Sequence, residues 1–331
     1  MSFKDIAGNE QAKRILQLSL SKGRLPNSLL FFGPSGTGKL KTALTLAKAL
    51  NCERRQDDSC DLCESCLRAE RGQHPNIRLV AREKNREQIV KDQVEEINYL
   101  STLRPWNQGR MVFIIDEAEK MNETVANSLL KTLEEPHPFV YFILITEDLQ
   151  LILPTIRSRC QVLRFNPLTQ EELEKTLLAR GLSPDQAKLM AIISRDDQEA
   201  LQERKWEEFI QERNLAFTLF KKLLESEEPS DFLDWASMAS RKDLLARYRG
   251  ILQLFALFFR DILAIEEGSR EQLLNPDLAP EIEKMANLIS VEGAIRGVRG
   301  LEDFLARLKK NPNLSIISNE LVIFLREIKN V

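Results

Sequence analysis

The chain has 331 residues, 43% apolar and 29% charged. It is too long for one ordinary core and too apolar for disorder, so two or three domains are expected. Lys plus Arg number 47 and Asp plus Glu 50, a net charge of −3, which excludes a protein that grips nucleic acid through an all-over positive coat.

The segment Met1-Ser-Phe-Lys-Asp-Ile6 holds no apolar signal core, and no run approaches the ~18 apolar residues of a membrane span. A soluble cytoplasmic protein is expected. Glu10 to Ser21 has helical spacing. Leu29-Leu30-Phe31-Phe32 then reads as a short strand. It runs into Gly33-Pro34-Ser35-Gly36-Thr37-Gly38-Lys39, a G-x-x-x-x-G-K match that opens a helix over Lys39 to Leu50. Glycines let backbone N–H groups turn around phosphate oxygens, the helix N-terminus adds positive dipole, and Lys39 reaches the β and γ phosphates. ATP or ADP is the expected ligand. The next position departs from the pattern. A phosphate loop needs Ser or Thr there to place a hydroxyl on Mg²⁺, and this chain has Leu40. Thr42 lies about 200° further round the helix and cannot substitute, so Mg²⁺ is expected to be weakly held or absent.

Cys52, Cys60, Cys63 and Cys66 follow, spaced C-x7-C-x2-C-x2-C. In a reducing compartment, cysteines this close favour a metal over a disulfide. Four thiolates can close a tetrahedral site, and Zn²⁺ is the expected ion. A full set of four leaves no position for a substrate, so the role is structural. The two short gaps put three ligands on a tight turn. His74 is close in sequence but surplus to the set, and is expected to pack with Pro75 at the start of the next strand.

Ile77 to Ala81, Met111 to Ile115, Phe139 to Thr146 and Gln161 to Phe165 are further strand-like runs. Helical patterns cover Glu87 to Leu103 and Thr124 to Leu133. Strand and helix in alternation imply a mostly parallel sheet covered on both faces. Met111-Val-Phe-Ile-Ile115 ends in Asp116-Glu117. At the carboxyl edge of such a sheet Asp116 would hold Mg²⁺ and Glu117 would polarise the attacking water, although such a pair also starts turns. Thr146, at the end of the next strand, stands where a polar side chain would sense a γ-phosphate, or simply caps the strand.

The pattern changes at Asn166-Pro167. Thr169-Gln-Glu-Glu172 is a capping box and Ser183-Pro184-Asp185 a second helix start. Apolar spacing of three and four then runs through 207–225 and 241–267, and no convincing strand follows. The expected division is an α/β domain over 1–166 with an inserted metal module at 52–66, a small helical domain over 167–205, and an all-helical domain over 206–331. Trp206, Trp235, Phe255, Phe258 and Phe259 are read as core. The stripe from Phe304 to Leu325 faces either its own core or a neighbour.

Several blocks resemble one family closely. Phe3-x-Asp5-Ile6-x-Gly8-Asn9-Glu10, Arg24-Leu-Pro-x-Ser-Leu-Leu-Phe31, the cysteine cluster, His74-Pro75-Asn76, Asp116-Glu117-Ala118, Ala126 through Pro136, and Ser158-Arg159-Cys160 look like bacterial DNA polymerase III clamp-loader subunits of the AAA+ class, the delta-prime kind above all. The resemblance implies a nucleotide-type α/β domain, a helical lid and a helical collar that joins a hetero-pentameric ring with motor and delta-type subunits. That ring would load the sliding clamp onto primed DNA. It also implies that Arg159 is supplied in trans to a neighbouring motor subunit's ATP, where an arginine stabilises transition-state charge.

Two departures point to a stator: Leu40, and Gln198 or Glu199 where motor subunits carry a nucleotide-sensing arginine. Asp116 and Glu117 would then be vestigial. The alternatives are a motor ATPase of the same ring and a zinc-dependent nucleic-acid-binding module. The acidic balance, and the lack of clustered Lys and Arg with aromatics beside the cysteines, weigh against the module.

Overall fold

A computed structural model describes residues 1–54, 57–83, 86–194, 205–225, 230–237, 241–308 and 313–329. Gln198 and Glu199 lie outside the described residues. The chain forms two compact units, Met1–Thr176 and a second from Leu177 onward. Among the described residues no helix is long and apolar enough to cross a membrane.

The first unit is built on a parallel sheet of five strands in the order β2-β3-β4-β1-β5: β1 Ser28–Phe32, β2 Ile77–Val80, β3 Met111–Ile115, β4 Val140–Thr146 and β5 Gln161–Arg164. Successive side chains leave a strand on opposite faces, and here both faces are covered. Leu30, Phe113, Ile115, Phe142 and Leu144 pack into one core, and Leu29, Phe31, Val112, Ile114, Ile143 and Ile145 into the other. Two-sided burial is why the central strands β1, β3 and β4 read as unbroken apolar runs, whereas the edge strands β2 and β5 carry Arg78, Gln161 and Arg164 and are largely exposed. Each large side chain so buried contributes roughly 1.5–3 kcal/mol.

The helices of this unit are α1 Glu10–Ser21, α2 Lys39–Leu50, α3 Glu64–Glu70, α4 Lys91–Ser101, α5 Glu123–Glu134 and α6 Pro154–Arg157, with α7 Gln170–Ala179 crossing the boundary between units. α1 and α2 fall where the sequence places them. The helix expected from Glu87 starts only at Lys91. Ile89 instead bridges to Met121, its N–H donating to the Lys120 carbonyl at 3.1 Å, and Val90 is extended. The apolar spacing is continuous there, but Ile89 is spent on a strand-like contact.

The second unit holds, among the described residues, only helices: α8 Pro184–Ile193, α9 Trp206–Glu225, α10 Ser230–Ser237, α11 Arg241–Glu266, α12 Ala279–Ala286, α13 Val291–Leu308 and α14 Leu314–Lys329. α11 is central, packing against α8, α9, α12 and α13. Phe220 of α9 sits with Phe255, Phe258 and Phe259 of α11 at ring separations of 4.9–5.5 Å. These phenylalanines are core, as expected. Trp206 and Trp235 are only half-buried, resting on Phe209 and on Phe232 and Tyr248. On α13 and α14, Phe304, Leu308, Leu321 and Leu325 face inward, while Ile316 and Ile323 stay exposed. Close packing of α13 depends on glycine. A Cβ at Gly297 would stand 2.8 Å from the Phe259 ring, and one at Gly300 1.9 Å from Phe324.

Asp261, buried on α11, accepts the N–H groups of Leu274 at 2.8 Å and Asn275 at 3.0 Å, and the Asn275 side-chain amide at 2.7 Å. Arg213 of α9 holds the same loop through Asp277 at 2.9 Å. Burial raises the Asp261 carboxyl above the usual carboxylate range against the pull of those donors. Asp261→Asn puts an NH₂ group among three donors and is expected to cost about 2–3 kcal/mol, read as a lower urea midpoint at unchanged slope.

Candidate functional site

Three separate groups of residues stand out in the first unit: the Gly33–Lys39 loop at the carboxyl end of β1, the cysteine module against α2, and Arg159 just before β5, at the opposite strand end.

The loop leaves β1 at Gly33. Its residues Gly33, Gly36 and Gly38 all have positive φ, at 147°, 71° and 83°, a region that L side chains avoid. A Cβ at Gly33 would also lie 2.1 Å from the Phe165 carbonyl oxygen. Lys39, at the start of α2, is buried and donates to the carbonyls of Gly33 at 2.6 Å and Pro34 at 2.7 Å. Thr37 Oγ1 also donates to the Pro34 carbonyl. The Thr42 hydroxyl donates 2.8 Å to the Gly38 carbonyl of its own helix. Leu40 packs against the apolar core. The loop thus pairs a glycine backbone with a buried lysine, and neither Leu40 nor Thr42 presents a free hydroxyl beside it.

Sheet register sets what stands beside the loop. Thr146 pairs with Phe32 and its carbonyl accepts the Gly33 N–H at 3.3 Å. Its hydroxyl donates to the Asp148 carbonyl at 3.0 Å, as a strand cap does. Asp116 ends β3, one strand beyond β4. Burial, together with the like charges of Glu117 and Glu119, raises its carboxyl, while the Lys39 ammonium pulls it down. Glu117 is left-handed, with φ 50°, and its carboxylate pairs with Arg82 Nε at 2.7 Å. Sequence reasoning did not single out Arg82, which lies in an unpatterned stretch after β2.

The four cysteine sulfurs of Cys52, Cys60, Cys63 and Cys66 lie within 4.8 Å of one another. A tetrahedral zinc with bonds near 2.3 Å would set them about 3.8 Å apart, and the Cys60 and Cys66 sulfurs are 4.0 Å apart. The donor chemistry fits as well. The Cys63 N–H points at the Cys60 sulfur at 3.3 Å and the Cys66 N–H at the Cys63 sulfur at 3.4 Å, bonds that favour thiolate. Burial alone would raise the Cys60 thiol, but N–H groups of Leu62 and Cys63 bring it down to about 6. These four residues can hold a metal ion. Only part of the ligand set is on a turn: Cys63 caps α3 and Cys66 lies within it.

His74 stays out of the set. It is buried, its Nε2 lies 2.9 Å from Ser65 Oγ and its Nδ1 accepts the Asn76 N–H at 3.1 Å. Those partners place the ring proton on Nε2. Ser65 in turn donates to the Asn51 carbonyl at 2.6 Å. Lys48 of α2, nearly fully buried, holds both Asp61 and Glu70 at 2.6 Å. Burial would raise the Asp61 carboxyl, but Lys48 and Ser59 hold it down at about 2. The module is therefore docked onto α2 by charge and onto the start of β2 by hydrogen bonds.

Arg159 follows α6. Its guanidinium donates to the Thr155 carbonyl at 2.9 Å and to Glu134 Oε2, at the end of α5, at 3.1 Å. Its buried Nε has no partner among the described residues. The guanidinium is paired with a carboxylate that is largely exposed.

Family models for "DNA polymerase III, delta subunit" match residues 8–169, and for its C-terminal part residues 207–324. DNA polymerase III subunit delta′ of Bacillus subtilis (strain 168) is 32% identical over 99% of this chain and 99% of its own length. DNA polymerase III subunit tau of Escherichia coli (strain K12) is 34% identical over 53% of this chain, but only 27% of its own length. Among solved structures, a DNA polymerase III gamma subunit-related protein of Thermotoga maritima aligns over 97% of this chain and 99% of its own, with a TM-score of 0.50 and 19% identity, a likeness of fold.

Proposed function

The chain belongs to the delta-prime subunit family of DNA polymerase III, and we propose that it serves the clamp loader as a stator rather than a motor. Leu40 carries that reading. Hydrolysis needs a metal fixed on the β and γ phosphates, and this loop has an apolar side chain where the metal's hydroxyl ligand belongs, with the Thr42 hydroxyl committed to Gly38. The Gly33–Lys39 loop of this AAA+ P-loop domain still suits ADP or ATP, with Mg²⁺ poorly held. Asp116 and Glu117 are then remnants, and the Arg82 pair on Glu117 supports that view.

In this reading residues 167–205 form a lid and 206–331 a collar, which joins motor and delta-type subunits in a hetero-pentameric ring. The ring places the sliding clamp on primed DNA, with DNA contact shared among subunits. Arg159 reaches a neighbour's ATP. Zn²⁺ on Cys52, Cys60, Cys63 and Cys66 is structural.

The intact glycine pattern and the Asp116-Glu117 pair favour a second reading, a motor ATPase of the same ring. Steady-state assays separate the two. The purified chain is expected to show no ATP turnover above background while binding ADP, and Lys39→Ala to abolish that binding. Turnover that disappears in Lys39→Ala would overturn the stator reading.

A further inference from the structure

Gly8 and Asn9 form a turn with two consecutive left-handed residues, φ 66° and 52°. The turn is seated tightly: a Cβ at Gly8 would lie 2.0 Å from Leu168 Cδ2. Both N–H donors and the oxygen of the Asn9 side chain are engaged. Its Oδ1 accepts the Asn166 N–H at 2.7 Å, and its Nδ2 donates to the Asn166 carbonyl at 3.1 Å and to the Thr37 carbonyl at 3.0 Å. One amide thus grips both backbone groups of the residue that leaves β5 and one carbonyl of the phosphate loop. The other end of the loop meets the same segment, since Gly33 abuts the Phe165 carbonyl.

We infer that Asn9 is a positioning residue of the phosphate loop, one that aims the Gly38 N–H and ties the loop to the 165–168 segment. In a trans peptide the C=O and the following N–H point in opposite directions, and the chain has no cis peptide. With the Thr37 carbonyl held by Asn9, the Gly38 N–H faces the opposite way, and among the described residues it donates to no backbone carbonyl. A loop whose N–H groups are aimed before the anion arrives loses less freedom on binding. Asparagine suits the position twice: it tolerates the left-handed backbone, and its amide can donate and accept together.

The inference rests on reading Gly33–Lys39 as a phosphate site, and the test keeps the two apart. Asn9→Gly preserves the left-handed backbone and deletes only the amide. The full-length variant is compared with the parent by titration with ADP and with inorganic pyrophosphate, by thermal melt, and by amide exchange over residues 33–40 and 161–168. Both anions are expected to bind about tenfold more weakly, the melting point to fall by about 3–6 °C as three part-exposed hydrogen bonds are lost, and exchange to rise in both segments together. Unchanged affinity for both anions, a loss confined to ADP, or faster exchange in one segment alone would overturn the inference. Should the parent bind neither anion, the nucleotide reading falls, and the paired rise in exchange alone decides for or against Asn9.

Discussion

Arg159→Ala is expected to leave the ring assembled and to slow its ATP turnover about 10³-fold, at the lower end of what such an arginine contributes in phosphoryl transfer. The experiment combines the variant with motor and delta-type subunits, checks assembly by size, and then measures turnover with clamp and primed DNA. Arg159 is tethered by Glu134 at 3.1 Å and by the Thr155 carbonyl. The Glu134 pair is partly solvated, with side-chain exposures of 30% and 58%, so it is worth no more than about 1 kcal/mol and yields readily to a phosphate. Glu134→Gln is therefore expected to change turnover by less than about fivefold. The contrast between the two variants separates loss of the guanidinium from loss of its resting partner. Unchanged turnover in Arg159→Ala would rule out the role in trans.

The second large effect concerns the cysteine module. One zinc per chain is expected by metal analysis, and Cys63→Ser is expected to lose it. A metal joining Cys52 to Cys66 closes a loop of roughly 15 residues, a constraint worth about 3 kcal/mol by analogy with a disulfide of that span. In a unit of this size that corresponds to about a 10 °C fall in melting temperature. Part of the docking is independent of metal, through Lys48 with Asp61 and Glu70 and through Ser65 with His74. The variant is thus expected to lose stability without unfolding outright. Arg68 of α3 stacks 5.1 Å from the Trp106 ring, so chelation should change tryptophan emission in the parent and not in Trp106→Phe. A metal-free chain with the parent's melting point would refute the structural role.

Much of the first unit was legible because its signals are local. Two-sided burial writes continuous apolar runs, so β3 is found at the predicted Met111–Ile115. Glycines are forced at the loop by positive φ, and the cysteine spacing picks out the four sulfurs that lie within 4.8 Å of one another. The start of α4 was misread because helical spacing says nothing of the Ile89–Met121 bridge. Trp206 and Trp235 were read as core because apolar size does not reveal depth.

By itself the sequence determined the phosphate-loop pattern, the missing hydroxyl at Leu40, the four-cysteine set and the alternation that dictates a parallel sheet, all properties of residue type and short spacing. Tertiary structure decided which charges and amides meet across long separations. Glu134 holds Arg159, Arg82 holds Glu117, Lys48 docks the cysteine module, and Asn9 joins Thr37 to Asn166. Pairs of this kind leave no period in the chain, because the partners are brought together only by the register of the sheet and the packing of helices upon it.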